Sequence, residues 1–291
     1  MNEWQHAPML AHNFEPFRIK SWNLIYRQPK LDGIRAIWDG KKLWTREQNE
    51  IVSVPHIIHD LKTYWNDFPL DGEIIANGDF DKTSSRVRRT KNIILDKSTQ
   101  YFIFDSPNIG RFQERWENIG RFYRNSEYIK LVLTEIIEPE TQELDRFSAE
   151  GYEGTMIRNG DSLYSFGNRS YDLLKIKQFK DGEYVCIGME PLKQFEKVIL
   201  HGKEKGAKQY ADGTWYKNGR SIELPALGKM VLTTSDGQIF RVGSGFNEEE
   251  RKKFWNSKDQ VIGQLITVKY QELTRNGIPR FPTFVQIRDL S

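Results

Sequence analysis

Apolar residues recur at every second position in several short runs of this chain and at every third or fourth in a few longer ones, so strands and helices alternate along it. Residues 24–46 read as a strand, a charged loop and a hairpin. Ile34, Ala36 and Trp38 alternate, Asp39-Gly40 supplies a two-residue turn, and Lys41 to Arg46 returns. Ser53-Val54-Pro55 opens a helix in which Ile57, Ile58, Leu61, Tyr64 and Trp65 recur at helical spacing. Leu70 to Ile75 and Tyr101 to Asp105 read as strands. Phe112, Trp116, Ile119 and Phe122-Tyr123 mark an amphipathic helix, and Leu131 to Ile137 a further strand. Two more strands follow, after Glu153-Gly154 and over Leu173 to Lys177.

The pattern restarts after Lys180-Asp181-Gly182-Glu183, a polar stretch that predicts a hinge between domains 1–180 and 181–291. Beyond it, strands are expected around Tyr184 to Gly188, Lys229 to Thr234, Gln238 to Val242, Leu265 to Leu273 and Thr283 to Arg288. Ser235-Asp236-Gly237 and Asn276-Gly277 supply turns, and Asn247-Glu248-Glu249-Glu250 starts a helix with acids in its first turn. Five strands and one helix suit an OB barrel. Residues 191–227 lack a clean period and read as a long insert. The predicted fold class is therefore α+β, antiparallel sheets and helices followed by an OB-fold β-barrel.

At 291 residues the chain is long enough for two cores, and 38% hydrophobic with 29% charged residues is ordinary soluble composition. No apolar run reaches the length of a membrane span, and Met1 to Glu15 lacks a basic region followed by an apolar stretch. The single cysteine, Cys186, excludes an internal disulfide and a Cys-based zinc site, which fits a reducing cytoplasm. A net charge of +3 says little by itself. Its placement says more: Lys193 to Arg220 carries a net +4, beside Tyr210, Trp215 and Tyr216.

The candidate chemistry centres on Lys30-Leu31-Asp32-Gly33-Ile34-Arg35, an amine, a carboxylate and a guanidinium around one glycine. A lysine amine attacks phosphorus only when unprotonated, and burial with neighbouring cations is how such nucleophiles are made. Gly33 permits a tight turn and close approach to a ligand. Read alone, the hexapeptide also fits a salt-bridged surface turn. Glu73 and Glu153 each enter an apolar strand, where a carboxylate is costly unless it is paired or bound to a ligand or metal. Lys175 and Lys177 share one strand face and repel unless an anion lies between them. Phe102 and Phe104 share a face of their strand, and residues 82–91 are expected to form a basic, phosphate-facing loop.

In their order and gaps, Lys30-x-Asp32-Gly33-x-Arg35, Asp71-Gly72-Glu73, Phe102 to Asp105, Glu153-Gly154 and Lys175-x-Lys177 resemble the motifs of the covalent nucleotidyltransferases, and within them the ATP-dependent DNA ligases. Pro8-Met9-Leu10-Ala11, Val242 to Phe246, Lys269-Tyr270 and Pro279 to Phe284 extend the resemblance to the minimal two-domain ligases of the Chlorella virus type. It implies an ATP-grasp-like nucleotidyltransferase domain, ATP with Mg²⁺ or Mn²⁺ as cofactors, and nicked duplex DNA as the partner of a monomer that closes around it. Lys30 would form the phosphoramidate to AMP, Glu73 hold the ribose, and Phe104 stack on adenine. Glu73 and Glu153 would serve the metal, and Lys175 and Lys177 the α-phosphate. Arg35, Arg46 and Arg169 would contact the nick phosphate, Asp32 the 3′-OH strand, and Arg280 the pyrophosphate. Residues 191–227, with Lys203, Lys205 and Lys208, would clamp DNA. An RNA ligase or capping enzyme of the same superfamily, or a non-catalytic OB-type DNA-binding protein, are the competing readings. The insert and Arg280-Phe281-Pro282 argue against the former, and Lys30 with its acids and paired lysines against the latter.

Overall fold

The computed structural model describes residues 7–76, 80–91, 93, 96–141, 143–202, 207–209, 214–274 and 276–288. The chain divides into two compact units, Met1–Gln178 and Phe179–Ser291. Only Gln178 and Phe179 fall between strands, because Lys180–Glu183, expected as a hinge, is the paired start of a strand.

The first unit runs β1 (Leu10–Asn13), α1 (Pro16–Ile19), β2 (Ile25–Lys30), β3 (Ile34–Trp38), β4 (Leu43–Thr45), α2 (Pro55–Tyr64), β5 (Leu70–Ala76) and α3 (Phe80–Val87). It continues with β6 (Thr99–Asp105), α4 (Phe112–Phe122), β7 (Ile129–Leu131), β8 (Glu135–Ile137), α5 (Arg146–Ala149), β9 (Gly154–Asn159) and β10 (Arg169–Lys177). These strands make two five-stranded sheets, one ordered β1-β10-β9-β2-β8 and the other β4-β3-β5-β6-β7. Pairing is antiparallel except for β1 with β10 and β6 with β7. The chain passes from one sheet to the other at Leu31–Gly33, so the lysine motif stands where the sheets diverge.

The main core lies on the second sheet, where Trp38, Leu70, Ile74, Tyr101 and Ile103 meet Ile57, Leu61 and Trp65 of the α2 segment and Ile119 of α4. A smaller cluster on the first sheet gathers Ile19, Ile25, Ile157 and Leu174. Two expectations are corrected here. Leu131 to Ile137 is not one strand, since β7 pairs with β6 and β8 pairs with β2 in the other sheet. Residues 82–91 are not a phosphate-facing loop: most belong to α3, because Thr83 bonds the Ala76 N–H and Val87 turns into the core. Arg86 pairs with Asp96 instead.

Gly33 also acts differently from its expected role. A Cβ there would lie 2.3 Å from the carbonyl oxygen of Ile74, so the glycine admits β5 backbone rather than a ligand. Gly154 does the same for β10, with Ile176 O 2.1 Å from its virtual Cβ.

The second unit comprises β11 (Lys180–Leu200), β12 (Lys208–Gln209), β13 (Trp215–Thr233), β14 (Ile239–Val242), α6 (Glu248–Asn256), α7 (Lys258–Val261), β15 (Leu265–Tyr270) and β16 (Thr283–Arg288). The sheet runs β12-β13-β11-β15-β16, with β14 also on β13. It curls until Phe284 N–H reaches Ser244 O at 2.9 Å, an isolated bridge rather than a continuous ladder, so the barrel is incompletely closed. Cys186, Leu227, Met230, Leu232, Ile266 and Val268 fill it. Asn247 caps α6 by accepting from Glu250 N–H at 2.8 Å.

The expected insert is regular: β11 and β13 stay paired out to Leu200 and Trp215, forming a long two-stranded arm. Both its faces meet solvent, as the exposure of Phe195, Val198, Ile199 and Ile222 records, so no inside-outside alternation marks it in the sequence. Its base is narrower than 191–227, because Leu227 belongs to the barrel core.

One buried polar cluster ties the two sheets of the first unit together. Asp105, with no solvent exposure, accepts from Arg115 Nε at 2.9 Å and from Arg158 Nη1 at 2.8 Å. Removing one partner of such a cluster strands charge in the interior. Asp105→Ala should therefore lower the unfolding free energy by about 3–5 kcal/mol. Chemical denaturation checks this, and a loss near that of an exposed pair, below ~1 kcal/mol, would refute it.

Candidate active site

Strand register assembles the site. Lys30 of β2 pairs with Gly154 of β9, which pairs with Lys177 of β10, so the three positions form one row across the sheet. Gln28, Met156 and Lys175 form the next row. The alternating side chains of these rows face a pocket of about 300 Å³. Lys30, Arg35, Arg46, Glu73, Phe104, Arg158, Arg169, Lys175 and Lys177 all line it.

Glu153 precedes Gly154 and its carboxylate lies between two amines. One oxygen takes Lys30 Nζ and the other takes Lys177 Nζ at 2.5 Å. Burial pushes this carboxyl up, but Lys30 and Lys177 outweigh it and hold the group below its ordinary value. Lys175 is held below the usual lysine value by burial first, then by Lys177, Arg169 and Lys30. The lysines expected to flank an anion are therefore within reach of each other, and Glu153 supplies countercharge to Lys30 and Lys177.

The second sheet contributes the opposite wall. Arg35 pairs in register with Glu73, and its guanidinium forks onto Asp71 at 2.9 and 2.5 Å. Burial disfavours the Arg35 charge, but Asp71 more than offsets this and fixes the cation. Tyr164 O–H donates to the same carboxylate at 2.6 Å. Glu73 has no such fork. Burial raises its carboxyl to about 8 against the pull of Lys30 and Arg35, and Glu153 adds repulsion. Phe104 has two guanidiniums near its ring, Arg35 at 5.3 Å and Arg158 at 5.4 Å from the ring centre. Phe102, on the same strand face, lines a different cavity with Leu31 and Ile75.

The remaining expected residues are less central. Arg46 reaches the pocket while largely exposed and beside Glu47. Arg169 donates to the Ala11 carbonyl. Asp32 is half-buried in the loop after Lys30 and does not line the pocket. Arg280 belongs to the second unit, where it pairs with Glu272. Lys208 is exposed on β12, and Lys203 and Lys205 lie outside the described residues.

Two pocket residues escaped the sequence reading. Arg158 is almost wholly buried, and its Nε donates to Gln28 Oε1 at 2.7 Å. Gln28 in turn donates to the Phe104 carbonyl at 3.1 Å and to Thr134. Alternation along β9 places Arg158 on the Met156 face, a signal the sequence does contain. Gln28 carries the same signal, two residues before Lys30 on β2.

For a divalent cation the donor set is sparse, since no group of three or more His, Cys, Asp or Glu side chains converges among the described residues. Glu73 lines the pocket, and Glu153, bonded to two of the pocket lysines, is close enough to Glu73 to repel it. Such a pair fits Mg²⁺, which keeps waters and takes one or two carboxylates plus substrate phosphates.

Comparison with known proteins agrees with this geometry. A family model described as the ATP dependent DNA ligase domain matches residues 8–177, and one described as the DNA ligase OB-like domain matches 225–288. A DNA ligase of Haemophilus influenzae is 28% identical over 95% of this chain and 90% of its own length. A Thermococcus onnurineus DNA ligase is 26% identical, but the match spans only 49% of it. A solved structure from work on Lig E DNA ligases, described there as DNA binding with a minimal scaffold, aligns at 26% identity. It covers 97% of this chain and 99% of its own, with a TM-score of 0.72. A Chlorella virus DNA ligase-adenylate aligns over 98% and 99% at 25% identity, with a TM-score of 0.51. With more than half its length matched by the ATP dependent DNA ligase domain model, and with Lys30, Glu73 and the paired lysines lining one pocket, the chain belongs to the ATP-dependent DNA ligases.

Proposed function

We propose that this chain seals nicks in duplex DNA, with Lys30 as the nucleophile that carries AMP. The observation that carries the reading is Glu153 bridging Lys30 and Lys177, two lysines that line a cation-rich pocket with Phe104 in its wall. Lys30 Nζ attacks the α-phosphorus of ATP, a P–N bond forms, and the bond to pyrophosphate breaks. The 5′-phosphate of the nick then attacks the same phosphorus, and Lys30 leaves as the amine. Finally the 3′-OH attacks the 5′-phosphorus, closing the phosphodiester and releasing AMP. These steps need positioning and charge neutralisation more than covalent help from the protein.

In the free protein Lys30 is tied to Glu153 as an ion pair. Phosphate oxygens entering the pocket compete with Glu153 for Lys177 and meet Lys175 as well. A divalent ion held by Glu153 and Glu73 would neutralise phosphate charge when bound. Glu73 is then positioned for the ribose and Phe104 for the adenine ring. Arg35, Arg46 and Arg169 are assigned to the nick phosphate, Asp32 to the 3′-OH strand, and Arg280 to pyrophosphate in the first step. The arm of β11 and β13 is assigned to DNA through Lys193, Lys197, Lys208, Lys217 and Arg220.

Lys30→Ala should fold normally yet take no label from α-labelled ATP, with undiminished labelling placing the nucleophile elsewhere. Glu73 adds a pH signature. Its folded carboxyl is raised from 4.5 to about 8, so protonation favours the fold and this contribution is lost as pH climbs through that window. Glu73→Gln should therefore melt higher than wild type at pH 9 and nearly match it at pH 5 in thermal scans of the nucleotide-free protein, whereas equal gaps at both would contradict a raised carboxyl. Replacing residues 193–223 by a short Gly/Ser linker spares the Leu227 core. It should weaken nick binding and flatten its salt dependence with self-labelling retained, and a salt titration unchanged from wild type would remove the arm from the DNA interface.

A further inference from the structure

Outside the pocket, the first sheet carries a stack that the ligation steps above do not use. The His12 ring lies 3.7 Å from the Tyr171 ring with an interplanar angle of 2°, and the Arg18 guanidinium sits 3.5 Å from the centre of the Tyr171 ring. Two groups cannot occupy one face at such distances, so Tyr171 is sandwiched between imidazole and guanidinium. Arg18 is further held by Glu15, one turn earlier. The stack is open to solvent along its edges, Tyr171 being 48% exposed.

Its position matters as much as its chemistry. Tyr171 lies on β10 between Arg169 and Leu173, both pocket residues, and His12 directly follows Leu10 and Ala11 of the pocket wall. The stack therefore stands beside the cationic pocket, with Arg169 and Lys175 close enough to act on His12. Partial desolvation in the stack, then Arg169 and Arg18, hold His12 below its ordinary value, so at neutral pH its ring N–H donates without adding charge.

We propose that His12, Tyr171 and Arg18 form a preordered row of donors that holds the sugar-phosphate backbone of the duplex flanking the nick. The row offers a ring N–H, a phenolic O–H and guanidinium N–H groups at stacking intervals. Both faces of Tyr171 are already covered, so it reads no base, and the contact is sequence-independent. Stacking pays the ordering entropy of Arg18 before DNA arrives. The inference rests on the ligase reading, because it needs a duplex centred on the lysine pocket.

The test uses the full chain and two assays, self-labelling with α-labelled ATP in the absence of DNA and binding of the labelled enzyme to a nicked duplex at several salt concentrations. Arg18→Gln and Tyr171→Leu should each label like wild type and weaken nick binding by roughly 3–10-fold. For Arg18→Gln the slope of log affinity against log salt should fall by about one. Tyr171→Phe, which keeps the sandwich, should lose less than Tyr171→Leu. Nick affinity and salt slope unchanged in Arg18→Gln would overturn the proposal, and so would equal losses in Tyr171→Phe and Tyr171→Leu. If Tyr171→Leu failed to label, its strand would be at fault and Arg18→Gln would decide. A wild-type protein that takes no label would defeat the ligase reading itself, a result separate from either.

Discussion

Too many cations face too small a space, and much of the first unit is arranged to make that tolerable. Seven basic side chains line one pocket, and in the free protein they must be held apart from one another or given countercharge. The fold does both. Glu153 divides its oxygens between Lys30 and Lys177, and Asp71 fixes Arg35. Asp105 holds Arg158 and Arg115 beneath the floor. Excess positive charge remains, and it is available to phosphate.

The countercharges differ in depth, and depth sets their roles. Asp71 and Asp105 are wholly buried and forked by arginine, so they behave as fixed parts of the interior. Glu153 is bonded to two lysines that line the pocket, and Glu73 lines it directly. One is held ionised by two ammonium groups and the other is pushed towards neutrality by burial. A substrate that brings its own negative charge disturbs only the second pair. Glycines at 33 and 154 make the arrangement possible by letting neighbouring backbone come within the distance a methyl group would forbid.

The second unit follows a different logic. Its barrel has one apolar interior and an arm with none, so the arm is held by its ladder of backbone hydrogen bonds and cross-strand pairs such as Lys193 with Glu223. The two family models meet the chain on either side of residues 178–224, the stretch that contains most of this arm. Surface of that kind is free to vary in length and charge without disturbing a core.

Much was legible in the residues alone. The Ile34-Ala36-Trp38 alternation, the Pro55 helix start and the Asn247 cap are local signals, and each element formed where its signal stands, although the hairpin turns one residue later than Asp39-Gly40 suggests, with Asp39 bonded to Lys42. Lys30, Glu73, Glu153, Lys175 and Lys177 were visible because charge in an apolar strand is costly and needs a reason. The residues could not show which strand lies beside which. Alternation puts Phe102 and Phe104 on one face but cannot say that only Phe104 reaches the lysine pocket. It also could not separate β7 from β8, or show that the 82–91 stretch folds into a helix against Ala76. The partners of Arg158 and Gln28 and the His12–Tyr171–Arg18 stack were invisible for the same reason. Their neighbours lie tens of residues or more away along the chain, and those distances are fixed by sheet register, which depends on packing of the whole unit rather than on any local run of residues.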